Sequence, residues 1–323
     1  MSDPAGYGNL IVYSDGAYRR YDDARVGLLT HGLQYGTGCF EGIRGYWNED
    51  EKDVLLFRLH EHYERLTNSA RMMLMDIGHS VDELVEISAE LCARNEFRGD
   101  TYLRAIVFKN LETIGVKLRG IPDTTAIIAV PHKKYYEAGN GLRVGVSSWR
   151  RVDDTAAPLR AKVTGLYANA ALAKSEAEMN GYDEAIMLSH DGHISECSAN
   201  NLFLVRNGVI YTPDPSQNIL EGITRRTVMD LARQELGLTI IERSLDRSEA
   251  YTADELFFTG TAVGVDFANS VDGRPIGDGT MGPITRKLMA LYDDVVHGRL
   301  PQYRSWVTPT YARPSRLAAT AAR

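Results

Sequence analysis

Lys162 stands in the run Arg160-Ala-Lys-Val-Thr-Gly-Leu-Tyr167, among small and apolar neighbours and just ahead of an alanine-rich stretch. An amine in such a setting is partly desolvated and usable as a nucleophile or Schiff-base former, although a lysine snorkelling from a helix start has the same appearance. Glu196 closes the strand-like residues 193–196, ahead of the small-residue turn Cys-Ser-Ala-Asn-Asn. It reads either as an exposed edge charge or as a buried carboxylate awaiting a cationic partner. Two segments have the makings of an anion cradle. Glu221-Gly-Ile-Thr-Arg225 leads into a helix whose first N–H groups have no partner within it, and Phe258-Thr-Gly-Thr-Ala262 passes from strand to turn. Tyr102-x-Arg104 puts a phenol and a guanidinium on one face of a strand, as a buried anchor or as a binding pair. Lys174 and Glu178, four apart on a helix, read as a solvated pair.

The elements that must carry these residues mix helix and strand. Residues 9–13 read as a strand turning at Asp15-Gly16 into a second. Leu59, Tyr63, Leu66, Ala70 and Met73 recur at helical spacing, which sets Arg65 at the flank of a buried stripe. Ser80 with Glu83 forms a capping box for the next helix. Residues 101–108 and 125–130 read as buried strands on either side of a polar loop. Further on, strands are expected over 142–147, 184–188, 193–196, 202–205 and 209–212, with hairpin turns at Asp191-Gly192 and Asn207-Gly208. Helices are expected over 167–178, 224–236 and 283–296.

Composition narrows the function classes. The 323 residues are 44% hydrophobic, 24% charged and 9% aromatic, and the net charge is −7. These values suit a globular chain of about two domains, and the acidic balance argues against nucleic acid or an anionic membrane as partner. The first twenty residues show no signal peptide, and no apolar run is long enough to span a bilayer. Cys39, Cys92 and Cys197 match no metal or disulfide spacing, so reduced thiols in a cytoplasmic protein and no metal are expected. No dinucleotide fingerprint, Walker loop, His-Glu-x-x-His or Gly-x-Ser-x-Gly is present.

The order of the motifs goes further than any one of them. Gly36-Thr-Gly-Cys-Phe-Glu-Gly-Ile-Arg44, His62-Tyr-Glu-Arg-Leu66, Tyr102-Leu-Arg104, Lys162, Ile194-Ser-Glu196, Gly222-Ile-Thr-Arg225 and Gly260-Thr-Ala262 together resemble the branched-chain aminotransferases, fold-type-IV enzymes dependent on pyridoxal phosphate. The resemblance implies a two-domain, mixed α/β fold with the cofactor at the domain interface. Residues 131–141, polar and glycine-bearing after an apolar strand, read as an interdomain loop between a small amino-terminal domain over 1–130 and a large cofactor-binding domain over 142–300, and the Pro-, Arg- and Ala-rich residues 301–323 read as a flexible tail.

It implies that Lys162 holds pyridoxal 5'-phosphate as an internal aldimine and serves as acid and base, with Glu196 facing the pyridine nitrogen. Tyr167 would bond the phenolic oxygen, and Arg65, Ile223, Thr224 and Thr261 would hold the phosphate. On the substrate side, Tyr102, Thr261 and Ala262 would take the α-carboxylate. Arg104, helped by Tyr35 from the neighbouring subunit of a homodimer, would take the second carboxylate of glutamate, and Phe40 would wall the apolar pocket. The implied reaction is transamination of leucine, isoleucine and valine with 2-oxoglutarate. A D-amino-acid or (R)-amine transaminase, or aminodeoxychorismate lyase, on the same scaffold is the alternative.

Two places depart from the family's pattern. Gly115-Val-Lys-Leu-Arg-Gly120 stands where Gly-Val-Asn-Pro is frequent, and Asn200 stands where a glutamate is usual.

Overall fold

Strand-forming runs dominate the first third of the chain, and the helices there supply one covering layer. The computed structural model describes residues 6–132 and 141–312 and divides them into two units. The first holds residues up to 132, then 161–165, then 294–312; the second holds 141–160 and 166–293.

In the first unit the elements run β1 (Ile11–Ser14), β2 (Ala17–Arg20), α1 (His31–Tyr35), β3 (Gly38–Asn48), β4 (Asp53–Phe57), α2 (Leu59–Met72), α3 (Val81–Arg94), β5 (Thr101–Lys109) and β6 (Asp123–Pro131). The capping box read from Ser80 and Glu83 is present at the start of α3. Leu59, Tyr63, Leu66 and Ala70 of α2 are buried, as their spacing requires.

β3 pairs with β5 from Gly38 to Gly45 but with β4 only from Gly45 to Asn48. The other edge of its first half takes the inserted segment 161–165: Cys39 and Val163 form an antiparallel bridge, and Phe40 N–H donates to Lys162 O at 3.0 Å. Gly36 makes room for this insertion. It sits at φ 65°, and a Cβ there would lie 2.6 Å from Gly165 Cα.

The second unit follows with β7 (Leu142–Val146), α4 (Tyr167–Met179), β8 (Glu184–Leu188), β9 (Ile194–Cys197), β10 (Asn201–Arg206), β11 (Val209–Thr212), α5 (Ile223–Gln234), β12 (Ile240–Glu242), α6 (Arg247–Ala250), β13 (Glu255–Gly260), β14 (Gly264–Val271) and β15 (Arg274–Pro275). Its nine-stranded sheet runs β12-β11-β10-β13-β14-β7-β8-β9, with β15 beside β14. One face buries Val144, Ile186, Leu202, Leu204, Leu256 and Phe258. α7 (Pro283–Val296) begins in this unit, where the buried Glu255 carboxylate accepts from the N–H groups of Ile284 and Thr285 at 3.0 and 2.7 Å.

The carboxyl-terminal region departs from expectation. Residues 301–323 read as a flexible tail, yet Pro301–Trp306 forms a 3-10 turn and β16 (Val307–Pro309) pairs antiparallel with β4. The cause is the edge of β4, whose outward backbone groups need partners. The first sheet therefore has seven strands, in the order β16-β4-β3-β5-β6-β1-β2. Asp53, itself buried, accepts from the N–H groups of Thr310, Tyr311 and Ala312 at 2.9, 2.9 and 3.0 Å. Residues 161–165 and 294–300 likewise group with the first unit and not with the large domain assigned to 142–300. Of the interdomain loop at 131–141, residues 133–140 lie outside the described residues, as do 313–323 of the tail.

Asp53→Ala removes one acceptor from three backbone donors, so urea unfolding should show a loss of about 2–4 kcal/mol. A loss below about 0.5 kcal/mol would mean that strand pairing alone holds the terminus.

Candidate active site

Alternation along β3 divides its side chains between two faces, and each face has a different task. Glu41 points toward α2. Its carboxylate is fully buried and takes the Nε–Nη2 edge of Arg65 in a two-point pair, with Nε to Oε1 at 2.7 Å and Nη2 to Oε2 at 2.8 Å. His62, one helical turn before Arg65, places Nδ1 2.7 Å from the same Oε2. Burial pushes Glu41 toward the neutral form, but Arg65 and then His62 outweigh it and hold the carboxyl well below the usual range. Burial pushes His62 down, and the nearby Arg65 and Lys162 charges add to that against the pull of Glu41. The imidazole is therefore neutral, and its Nδ1–H donates, because an ionised carboxylate can only accept.

Phe40 lies on the opposite face. Arg104, two positions from Tyr102 on β5, stacks over its ring with Cζ 4.4 Å from the centroid and donates from Nη2 to the Tyr102 hydroxyl at 3.1 Å. Lys162 Nζ lies 5.1 Å from the same centroid. A Cβ on Gly42 would sit 2.1 Å from the Tyr102 hydroxyl, so the glycine leaves the space that this phenol fills. Arg104 is exposed and, among the described residues, makes no ion pair, which removes the buried-anchor reading of this pair. Ser69 Oγ accepts from Lys162 N–H at 3.2 Å, so the half-buried lysine is gripped through its backbone from both sides. Tyr35 ends α1, and its hydroxyl accepts from Gly115 N–H at 3.0 Å, while His31 Nε2 lies 2.8 Å from Gly115 O.

The second unit carries the other expected residues. Glu196 is buried and has found its cation: Arg151 Nη2 lies 2.8 Å from Oε1. Asn201 Nδ2 and Leu220 N–H donate to Oε2 at 2.9 and 3.0 Å. The reading of Glu196 as an exposed edge charge is thereby removed. Tyr167 opens α4 and is half-buried, as are Thr261 and Ala262 in the turn between β13 and β14.

Ile223 and Thr224 form the first turn of α5, whose N-cap, Gly222, offers no side-chain acceptor to the first N–H groups. Thr259, the register partner of Asn201, has a buried hydroxyl with no hydrogen-bond partner. An uncapped helix start with an orphaned hydroxyl on a neighbouring strand fits a phosphate group. Taken unit by unit, an amine and a guanidinium in the first and a buried carboxylate with an uncapped helix start in the second are donor types that fit pyridoxal phosphate.

Several participants escaped the sequence reading. No local pattern marks Glu41, Arg151 or His31, whose partners lie far away in the sequence. Lys174 does pair with Glu178, at 3.3 Å, but its Nζ also donates to Asp183 O, so it is more than a surface charge. Asn200, where the family usually has a glutamate, donates from Nδ2 to the buried Glu184 Oε2 at 3.2 Å. Burial lifts the thiols of Cys39 and Cys92 to about 12 and that of Cys197 upward as well, so none is a thiolate nucleophile at neutral pH.

The chain belongs to the class IV aminotransferases, whose family model matches residues 38–271. It is 44% identical over 301 residues to a probable branched-chain-amino-acid aminotransferase of Aquifex aeolicus, covering 93% of this chain and 96% of that one. The Escherichia coli K12 branched-chain-amino-acid aminotransferase is 36% identical over 300 residues, 92% of this chain and 96% of the relative. Among solved structures, the branched-chain aminotransferase of Thermoproteus uzoniensis with norvaline superposes with TM-score 0.90 at 41% identity, covering 94% of this chain and all of the other. The enzyme from Thermobaculum terrenum in its pyridoxal-phosphate form gives TM-score 0.90 at 36% identity, covering 94% of this chain and 99% of that one.

The Glu41 pair has a pH signature. A carboxyl depressed in the folded state stabilises fully above its unfolded value of 4.5 and loses that contribution as pH falls through the lower folded value. Between about pH 5 and pH 3, wild type should lose unfolding free energy faster than Glu41→Gln, whose amide cannot titrate. A gap between the two that stays constant across this range would show that Glu41 carries no depressed titration.

Proposed function

We propose that this protein transfers the amino group of leucine, isoleucine or valine to 2-oxoglutarate, giving the branched 2-oxo acid and glutamate, with pyridoxal 5'-phosphate as cofactor. One observation carries the reading: a single aromatic ring, Phe40, backs both the Lys162 amine and the Arg104 guanidinium. That pairs a nucleophile with a carboxylate binder against an apolar wall, which suits side chains that are apolar in one half-reaction and anionic in the other.

When bound, the cofactor supplies an aldehyde for the amino group and a protonated ring that draws electrons from the substrate α-carbon. Lys162 would hold it through Nζ, and its amine would take the proton from the substrate α-carbon and return it. Glu196 would face the pyridine nitrogen and favour its protonated form, while Arg151 holds Glu196 in place. Arg65, the first N–H groups of α5 at Ile223 and Thr224, and Thr261 hold the phosphate. Tyr167 bonds the phenolic oxygen. Tyr102, Thr261 and Ala262 receive the α-carboxylate, and Arg104 the side-chain carboxylate of glutamate.

The reading includes a homodimer in which Tyr35 reaches the neighbouring subunit's substrate. Its support is an apolar surface where α1 and the Gly115 loop meet: Leu28 and Ile114 are each 82% exposed and Val116 79%, and Leu33 is also exposed. The two segments are tied by Thr113 N–H to Leu29 O and His31 N–H to Leu111 O. Exposed apolar residues clustered this way suit a protein partner. No helix among the described residues is long and apolar enough to cross a membrane. The three buried free thiols suit a reducing compartment such as the cytoplasm.

Borohydride reduction of the holoenzyme followed by peptide mapping should find the cofactor on Lys162, and Lys162→Ala should lose the covalent link while retaining non-covalent binding. Label on any other lysine would overturn the assignment. Arg104→Ala should damage the glutamate half-reaction more than the leucine half-reaction, by about 2–3 kcal/mol of differential binding, when each is measured singly. Equal losses would assign Arg104 to the α-carboxylate or to the fold.

A further inference from the structure

α2 turns three polar residues toward the sheet and the inserted segment, at positions 62, 65 and 69, and all three are engaged in bonds that surface residues would not need. We infer that Glu41 and His62 are positioning residues that aim the Arg65 guanidinium at the cofactor phosphate. The inference rests on the reading of Arg65 as a phosphate ligand and adds what makes it one.

A guanidinium is planar and rigid, so fixing one edge fixes the plane and direction of the whole group. Glu41 holds the Nε–Nη2 edge by two bonds of 2.7 and 2.8 Å. The carboxylate cannot swing, because it sits on a strand buried along nearly its whole length and its side chain is 0% exposed. It cannot rotate about its own axis without breaking the 2.7 Å bond from His62 Nδ1 to Oε2. His62 is itself 2% exposed and rises from the same helix as Arg65, so the three side chains form a closed frame.

A buried carboxylate beside a group meant to bind a dianion otherwise works against it, because it cancels the charge of Arg65. Its retention makes sense if direction matters more than net charge at this end of the phosphate site. Ser69, on the same helix, bonds Lys162 N–H. One helix therefore sets both the phosphate ligand and the backbone from which the reactive amine projects.

The test separates this aim from a merely structural role by removing the phosphate. The full-length protein is stripped of cofactor, and the affinities for pyridoxal 5'-phosphate and for pyridoxal, which lacks the phosphate, are measured by the visible absorbance of the bound form. Glu41→Gln should weaken pyridoxal phosphate by about ten-fold or more while changing pyridoxal by less than about two-fold. His62→Leu should show a smaller loss of the same selectivity. His62→Asn, whose amide N–H stands near the place of Nδ1–H, should restore it. Should Glu41→Gln fail to fold, the two His62 variants make the same comparison.

Equal weakening of both compounds would overturn the inference, as would unchanged pyridoxal phosphate affinity in Glu41→Gln and His62→Leu. Wild-type protein with no preference for the phosphorylated compound would instead overturn the reading of Arg65 itself.

Discussion

A strand longer than its neighbour leaves backbone groups that must be paired elsewhere. β3 has eleven residues, and β4 covers only its last four. A buried N–H without an acceptor costs about 1–3 kcal/mol, so the uncovered half of that edge demands a partner. The partner is the segment carrying Lys162, whose carbonyl accepts from Phe40 and whose N–H is taken by Ser69. Lys162 is thus located by main-chain bonds on both sides. The same strand sends Glu41 to one face and Phe40 to the other, so a single edge constraint sets the geometry of the amine, the guanidinium on α2 and the wall beneath Arg104.

Both units use one electrostatic device. In each, a buried acid is paired with a guanidinium: Glu41 with Arg65, and Glu196 with Arg151. Such pairs are poor sources of stability, because desolvation offsets much of the attraction. What they secure is the direction in which each side chain is held. The cost is met by apolar surroundings, in the second unit by the closely packed layer that includes Phe258, Leu202 and Ile186.

Local signals made much of this legible in the sequence. The Ser80–Glu83 box, the strand at 184–188, the strand at 209–212 and the helix over 283–296 stand where periodicity and turn residues put them. β3 was harder, because three glycines and a buried glutamate break the alternation by which strands are recognised. Its acid has its partner 24 residues away on a helix, a distance that no short-range pattern encodes. Arg151 and Glu196 are likewise joined only by the fold. The terminal strand was hidden for another reason: Pro, Arg and Ala dominate residues 301–323 as a block, and that average conceals the three residues that pair with β4. Lys162, Glu196 and Arg104 stand out in the sequence by residue type and order.

The closing of the first sheet by β16 has a consequence during synthesis. Residues 53–57 leave the ribosome some 250 positions before the strand that covers their outer edge, and the segment at 161–165 arrives more than a hundred positions after β3. Until both are made, the nascent chain carries two unprotected strand edges, one of them flanked by the wholly buried Val54, Leu55 and Leu56. Edges of that kind pair readily with other chains. The first unit, although it holds the amino-terminal third, is completed only after the strands of the second unit have been made, and a ribosome-bound chain stopped short of residue 307 exposes a template for aggregation.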